Sequence, residues 1–160
     1  MIKQHCHCGY PTPFNNCCEP LINKKTNAIT AEQLMRSRFS AFKIQNYQYL
    51  IDTHLIEEGC KPIQLEDFDS HIDWIGLYII NHFNITTQPN EAKVEFAAFY
   101  QDRHPSKNQT YYQLHENSLF RKMGSQWFYV KGKHLPNLKI ERNQPCFCQS
   151  SKKFKKCHGQ

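Results

Sequence analysis

The apolar positions of the central chain follow two rhythms, and the change from one to the other predicts how the chain folds. Thr30 with Gln33 three residues on forms a capping-box signature, and Met35, Phe39 and Phe42 behind it are spaced to share one helical face. That helix is expected to end or bend at Asn46, with a second short helix over Tyr47–His54. After Pro62, residues Phe68, Ile72, Ile75, Ile79 and Phe83 recur at intervals of three and four, which predicts a longer third helix. From about Ile85 the rhythm shortens. Lys93–Gln101, Thr110–Arg121 and Gln126–Lys131 are rich in Val, Phe and Tyr and read as strands, with turns at Arg103–Asn108 and Met123–Ser125. Helices followed by an antiparallel meander predict an α+β domain in which the helices cover one face of a curved sheet.

Composition narrows this further. A chain of 160 residues, 39% hydrophobic and 13% aromatic, can bury a core of its own and holds one domain or one domain with appendages. The longest apolar-looking run, Trp74–Ile80, contains Gly76 and falls far short of the roughly 20 residues of a membrane-spanning helix. Met1–Tyr10 carries two His and two Cys and no secretory-type apolar run, so a cytoplasmic, reducing location is expected.

The eight cysteines therefore need an explanation other than routine disulfides. Cys6, Cys8, Cys17 and Cys18 are spaced C-x-C-x8-C-C, and Cys146, Cys148, Cys157 and His158 repeat the pattern as C-x-C-x8-C-H. Four thiolate or imidazole donors brought to one point suit tetrahedral Zn²⁺ in a closed structural site, so two zinc ions per chain are expected. Disulfides are the rival reading. They favour oxidising compartments, a bridge between adjacent Cys17 and Cys18 would be strained, and the C-terminal block has an odd number of thiols. Either block is too short to fold on core burial alone, so metal binding and ordering would be one event. With all four positions taken by protein, hydrolytic zinc chemistry is disfavoured. His5 and His7 could substitute as ligands but read more simply as surface histidines, and Cys60 reads as an ordinary free thiol.

Charge is as uneven as the cysteines. Residues 139–160 hold Lys139, Arg142, Lys152, Lys153, Lys155 and Lys156 against Glu141 alone, a net +5 of the chain's +6. Attraction to an anionic partner belongs mainly to this tail. The chain thus divides into an N-terminal cysteine module (1–26), a central domain (27–138) that accounts for its own core, and a basic C-terminal module (139–160).

Two sets of residues carry a resemblance. Arg142-Asn143-Gln144-Pro145-Cys146-Phe147-Cys148 and Lys152-Lys153-Phe154-Lys155-Lys156-Cys157-His158-Gly159 resemble the SEC-C motif, the zinc tail of the SecA preprotein translocase ATPase. That resemblance implies Cys146, Cys148, Cys157 and His158 as ligands. It also implies a docking surface for an acidic partner, a SecB-like chaperone or a ribosome, around Arg142, Lys152, Lys153, Phe154, Lys155 and Lys156. Gln149 and Ser151 stand where the motif has glycines, and Phe147 where it has proline, so a weaker or more mobile knuckle is expected there. With the N-terminal cysteine pattern, the run Thr30–Phe42, Val94-Glu95-Phe96 and His115-Glu116, the whole chain resembles the YchJ family. The resemblance implies a central cone of the nuclear transport factor 2 type, helices packed on a curved antiparallel sheet, flanked by zinc modules at both ends.

Two functions follow from these readings. The first is a zinc-binding adaptor whose basic tail, with the ring of Phe154 exposed, docks an acidic chaperone, a ribosome or nucleic acid. The second is an enzyme or small-ligand protein using the pocket of the cone. Its candidates are Tyr100, Tyr112, His115 and Glu116, although adjacent His115 and Glu116 should point to opposite faces of a strand. Arg36 and Arg38, two apart on a helix, should point in different directions, and Arg38, nearer the Met35/Phe39/Phe42 face, is expected to pack its stem and leave its head in water, the alternative being a buried Arg that orients an acid or holds an anion.

Overall fold

The computed structural model describes residues 5–103 and 111–160. Among these, a four-residue α1 (Glu19–Ile22) is followed by α2 (Ala31–Lys43) and α3 (Tyr47–Asp52), then by strands β1 (Ile72–Asn84), β2 (Glu91–Asp102), β3 (Tyr112–Met123) and β4 (Gln126–His134). The strands form one antiparallel meander in the order β1-β2-β3-β4. Residues 104–108 of the expected turn, and the expected strand start at Thr110, lie outside the described residues. No described helix is long and apolar enough to cross a membrane.

Helix α2 starts where the capping signature places it. Thr30 Oγ1 accepts from the Gln33 N–H at 3.1 Å, and Gln33 Oε1 accepts in turn from the Ile29 N–H at 2.8 Å. Asn46 ends this run and caps α3, its side chain accepting from the Tyr49 N–H at 3.1 Å. Met35 and Phe39 are buried, and Phe42 packs beside them against Trp74, ring centroids 5.2 Å apart.

The third helix expected after Pro62 is instead strand β1. Ile72–Asn84 is dense in β-branched and aromatic residues and has Gly76 inside, a composition that favours a pleated strand over a helix. The helix-like spacing comes from two bulges. The pairing with β2 skips a residue between Trp74 and Gly76 and again between Ile79 and Asn81, so Ile75 and Ile80 are extra residues that shift the alternation from one face to the other. The expected strands extend to Glu91–Asp102, Tyr112–Met123 and Gln126–His134, with Gly124 (φ +59°) in the tight β3–β4 turn.

The sheet is covered on both faces. On one, α1, α2 and α3 bury Leu21, Ile22, Leu34, Phe39 and Leu50 against Leu77, Val94, Phe96, Phe120 and Trp127. Cys6, Cys8 and Cys18 belong to this same core. On the other face, Ala97 and Phe99 of β2 are covered by Cys146, Phe147 and Phe154 of the C-terminal segment.

Arg38 departs from its expected exposure. Its guanidinium is buried, donates to the Leu50 carbonyl at 2.8 Å and to Thr53 Oγ1 at 2.6 Å, and lies 4.8 Å over the Tyr129 ring. Burial lowers its pKa to about 10, which leaves it charged at neutral pH. A position on the Met35/Phe39 side of α2 drives the whole side chain inward, where two oxygens and an aromatic face replace water.

Candidate metal centres

Each cysteine block closes on itself through a turn that brings its first pair to its second. In the N-terminal block, Gly9 (φ +83°) follows Cys8, and its N–H donates to the Cys6 carbonyl at 2.9 Å. A 3₁₀ turn over Phe14–Asn16 then delivers Cys17 and Cys18, with α1 starting at the next residue. The C-terminal block repeats the construction: Gln149 N–H donates to the Cys146 carbonyl at 3.2 Å, and a 3₁₀ turn over Phe154–Lys156 delivers Cys157 and His158.

The ligand atoms of Cys6, Cys8, Cys17 and Cys18 lie within 4.8 Å of one another, as do those of Cys146, Cys148, Cys157 and His158. Cys17 Sγ is 3.8 Å from both Cys8 Sγ and Cys18 Sγ. In the second set Cys148 and Cys157 sulfurs are 3.6 Å apart, and His158 Nδ1 is 3.2 Å from Cys146 Sγ and 3.4 Å from Cys157 Sγ. A tetrahedral ion with metal–sulfur bonds of about 2.3 Å and metal–nitrogen bonds of about 2.0 Å has ligand–ligand edges of about 3.8 and 3.5 Å. These separations fit such an ion and are far beyond a disulfide bond of about 2.05 Å.

The electrostatics agree with the geometry. Burial, and then the charge of Cys8, pushes the Cys17 thiol up to about 12, and burial pushes Cys146 up to about 11. Hydrogen bonds from neighbouring groups favour one thiolate in each cluster, Cys6 or Cys157, while other sulfurs beside them resist following, and a cation among them reverses that by stabilising each thiolate. Burial holds the His158 imidazole below its ordinary value, so it is neutral at pH 7 and able to coordinate. Both sets can hold a metal ion.

Around the ligands, several residues that the spacing did not reveal set the position of each block. Ser40 Oγ on α2 is 3.7 Å from Cys6 Sγ, and Arg36, held by Glu32 at 2.7 Å, donates to the Cys8 carbonyl at 3.2 Å. On the other face Phe147 stacks on Phe99, centroids 4.0 Å apart and planes 3° from parallel, and Tyr78 Oη donates to the Pro145 carbonyl at 2.7 Å. Phe147, where the motif has proline, is thus the aromatic anchor of the module. Gly76 makes room for it, because a Cβ there would strike the Phe147 backbone.

Other expected residues fall differently. Phe154 is buried beneath the module, 8% exposed, and not on a docking surface: the turn that delivers Cys157 points its ring at Tyr111 and Phe147. Lys152, Lys153, Lys155, Lys156 and Ser151 instead line a shallow depression on the outside, and among the described residues none of these lysines, nor Arg142, has an acidic partner within ion-pair distance. His5 and His7 are outside the ligand set, His7 packing on Phe14, and Cys60 is exposed in a loop. His115 and Glu116 do point to opposite faces. His115 bonds Glu95 at 3.0 Å and the Pro136 carbonyl at 2.6 Å, while Glu116 accepts from Ser118 and Tyr129 toward the helices. Tyr100 and Tyr112 stack on each other, 5.4 Å apart, beside Trp74. The four do not converge on one pocket.

Fold and site together define a nuclear transport factor 2-like domain carrying a SEC-C motif and two four-ligand clusters. The profile described as "YchJ, middle NTF2-like domain" matches residues 30–132, and that of the SEC-C motif matches 142–160. A UPF0225 protein of Vibrio cholerae serotype O1 is 37% identical over 157 residues, covering 96% of this chain and 99% of its own. One from Photorhabdus laumondii is 39% identical over 167 residues, covering 99% and 100%. The chain belongs to the YchJ family, whose relatives carry the UPF0225 name. The crystal structure of a SEC-C motif containing protein from Psychrobacter arcticus aligns with a TM-score of 0.60 at 27% identity, covering 99% of this chain and 98% of that one. The solution structure of a SEC-C motif containing protein from Rhodopseudomonas palustris shares the fold at a TM-score of 0.65 and 24% identity, over 82% of this chain and 98% of that one.

Proposed function

We propose that this protein is a two-zinc adaptor of the bacterial cytoplasm whose basic C-terminal module docks on an acidic macromolecular surface, that of a chaperone, a ribosome or RNA. Zinc is the metal that donor sets of four thiolates, and of three thiolates with one imidazole, suit best. Because protein supplies all four ligands at each centre, the metal's role is to hold shape and not to activate water. What supports the docking role is the group of four lysines, without acidic partners among the described residues, on the loop between Cys148 and Cys157. A metal-ordered turn presents those charges at fixed spacing, which costs less ordering on binding than a loose basic tail would.

With Phe154 turned inward, docking through this turn rests on charge, so affinity should fall steeply with salt. The test is the full chain with Lys152, Lys153, Lys155 and Lys156 changed together to Gln. Truncation after Leu138 is unsuitable, since it would bare Ala97, Phe99 and Tyr111 and create an adhesive face. Wild type should bind ribosomes, RNA or an acidic chaperone in a salt-sensitive manner and the variant should not. Equal binding by both proteins would overturn the proposal.

A further inference from the structure

Two residues of the C-terminal turn, Gln149 and Ser151, stand where the resemblance to the motif places glycines. Gln149 and Ser151 both adopt left-handed conformations, φ +60° and +61°, a region costly for any residue with a Cβ. For Gln149 the side chain supplies a reason. Its Nε2 donates to the carbonyl of His7 at 3.1 Å, across 142 positions of sequence. His7 lies between the ligands Cys6 and Cys8, and Gln149 directly follows the ligand Cys148, so one side chain joins the two ligand loops.

The contact is reinforced around it. A Cβ built on Gly9 would sit 3.5 Å from Gln149 Nε2 and 3.9 Å from the Leu77 carbonyl, so the N-terminal loop touches both the amide and β1. The preceding residue of β1, Gly76, receives Phe147 of the C-terminal loop. The two loops therefore pack at neighbouring residues of the edge strand β1, one by the Leu77 carbonyl and the other at Gly76, and meet through Gln149.

We propose that Gln149 is a positioning residue that couples the two metal centres. Resting on the reading that both clusters take zinc, the argument is one of linkage. Metal orders the loop that binds it, an ordered loop presents its half of the Gln149–His7 bond in place, and so filling either centre raises the affinity of the other by the same factor. One net hydrogen bond sets that factor at roughly two- to tenfold. The glycine usual at this position would spare the left-handed strain but could not make the bridge.

The test is a cycle on the full-length protein, with metal affinity measured by chelator competition using zinc, and with cobalt to distinguish the four-sulfur centre from the three-sulfur, one-nitrogen centre. Disabling the N-terminal centre with Cys17→Ala should weaken the C-terminal centre roughly two- to tenfold in the wild-type background. In the Gln149→Glu background, where the side chain keeps its size but an ionised carboxylate has no proton to donate, the same change should have no effect. Gln149→Gly should also abolish the coupling while, compared in the Cys17→Ala background, its C-terminal centre binds metal at least as tightly as with Gln149 in place, a combination that general damage to the turn would not produce. The reciprocal arm, Cys157→Ser read at the N-terminal centre, must give the same factor and decides the matter should Cys17→Ala fail to fold. Coupling of equal size in the Gln149 variants, or two loaded centres without coupling in wild type, overturns this proposal alone. A wild-type protein that binds no zinc overturns the two-zinc reading and this one with it.

Discussion

Changing Cys18 to Ser should unsettle the whole helix-side core and not only the N-terminal loop. Cys18 is 1% exposed, and Cys6 and Cys8 are fully buried in the core that contains Phe39, Leu50 and Trp127. With zinc bound as proposed, losing one ligand would release it and leave buried sulfurs and a hydroxyl without their partner. It also loosens α1, which begins at the next residue and buries Leu21 and Ile22. Burial of two such aliphatic side chains contributes about 3–6 kcal/mol, of which partial loosening forfeits about half; with about 1–3 kcal/mol for polar groups left unpaired, the total is about 2.5–6 kcal/mol. For a chain of this length, at about 3 °C per kcal/mol, that corresponds to a fall in Tm of about 7–18 °C. Thermal unfolding followed by tryptophan fluorescence reads this directly, because Trp127 belongs to that core and Trp74 packs against it. Cys60→Ser, at an exposed thiol, is the control and should leave Tm unchanged. The reasoning fails if Cys18→Ser, or chelation of the wild type, leaves the tryptophan transition where it was; the central segment would then account for its own core, as its hydrophobic pattern alone suggests.

Three further outcomes are expected. Gly76→Ala should lift the C-terminal module off β1 at a cost of about 1–3 kcal/mol, since a Cβ there meets the Phe147 backbone; trypsin should then cut the lysine-rich tail faster than in wild type, and equal rates would contradict it. Arg38→Ala should cost about 3 kcal/mol in urea unfolding by stranding the Leu50 carbonyl, leaving Thr53 Oγ1 with only its bond to the Tyr49 carbonyl, and emptying the space under Tyr129, and a cost below about 1 kcal/mol would contradict the buried network. Burial lowers the pKa of His54 from its ordinary 6.5, so its favourable contribution is present above pH 6.5 and is lost as pH falls through the folded value; His54→Gln should flatten the decline of stability below pH 6.5, and an unchanged slope would refute it.

The parts legible from sequence are those fixed by local pattern. The Thr30 cap, the later strands and both ligand sets depend on residues a few positions apart, or on a spacing repeated twice. The parts that were not legible depend on what packs against what. β1 read as a helix because bulges at Ile75 and Ile80 turn an alternating pattern into intervals of three and four. Phe154 looked like a surface anchor because the side of the turn facing the sheet is decided by Phe99 and Tyr111, far away in the chain. The solvated reading of Arg38 failed for the same reason: the oxygens that receive it come from α3 and the residue following it. No local signal shows that the two ends of the chain meet at His7 and Gln149.

The account turns on both clusters holding zinc through protein ligands alone. Zinc K-edge X-ray absorption, combined with elemental analysis of protein purified under reducing conditions, tests this most directly. It should find about two zinc ions per chain, and seven sulfurs and one imidazole nitrogen shared between the two centres, an average shell of about 3.5 sulfurs and 0.5 nitrogen per zinc, at about 2.3 and 2.0 Å. One zinc or none in ordered protein, or a shell containing water oxygen, would contradict it.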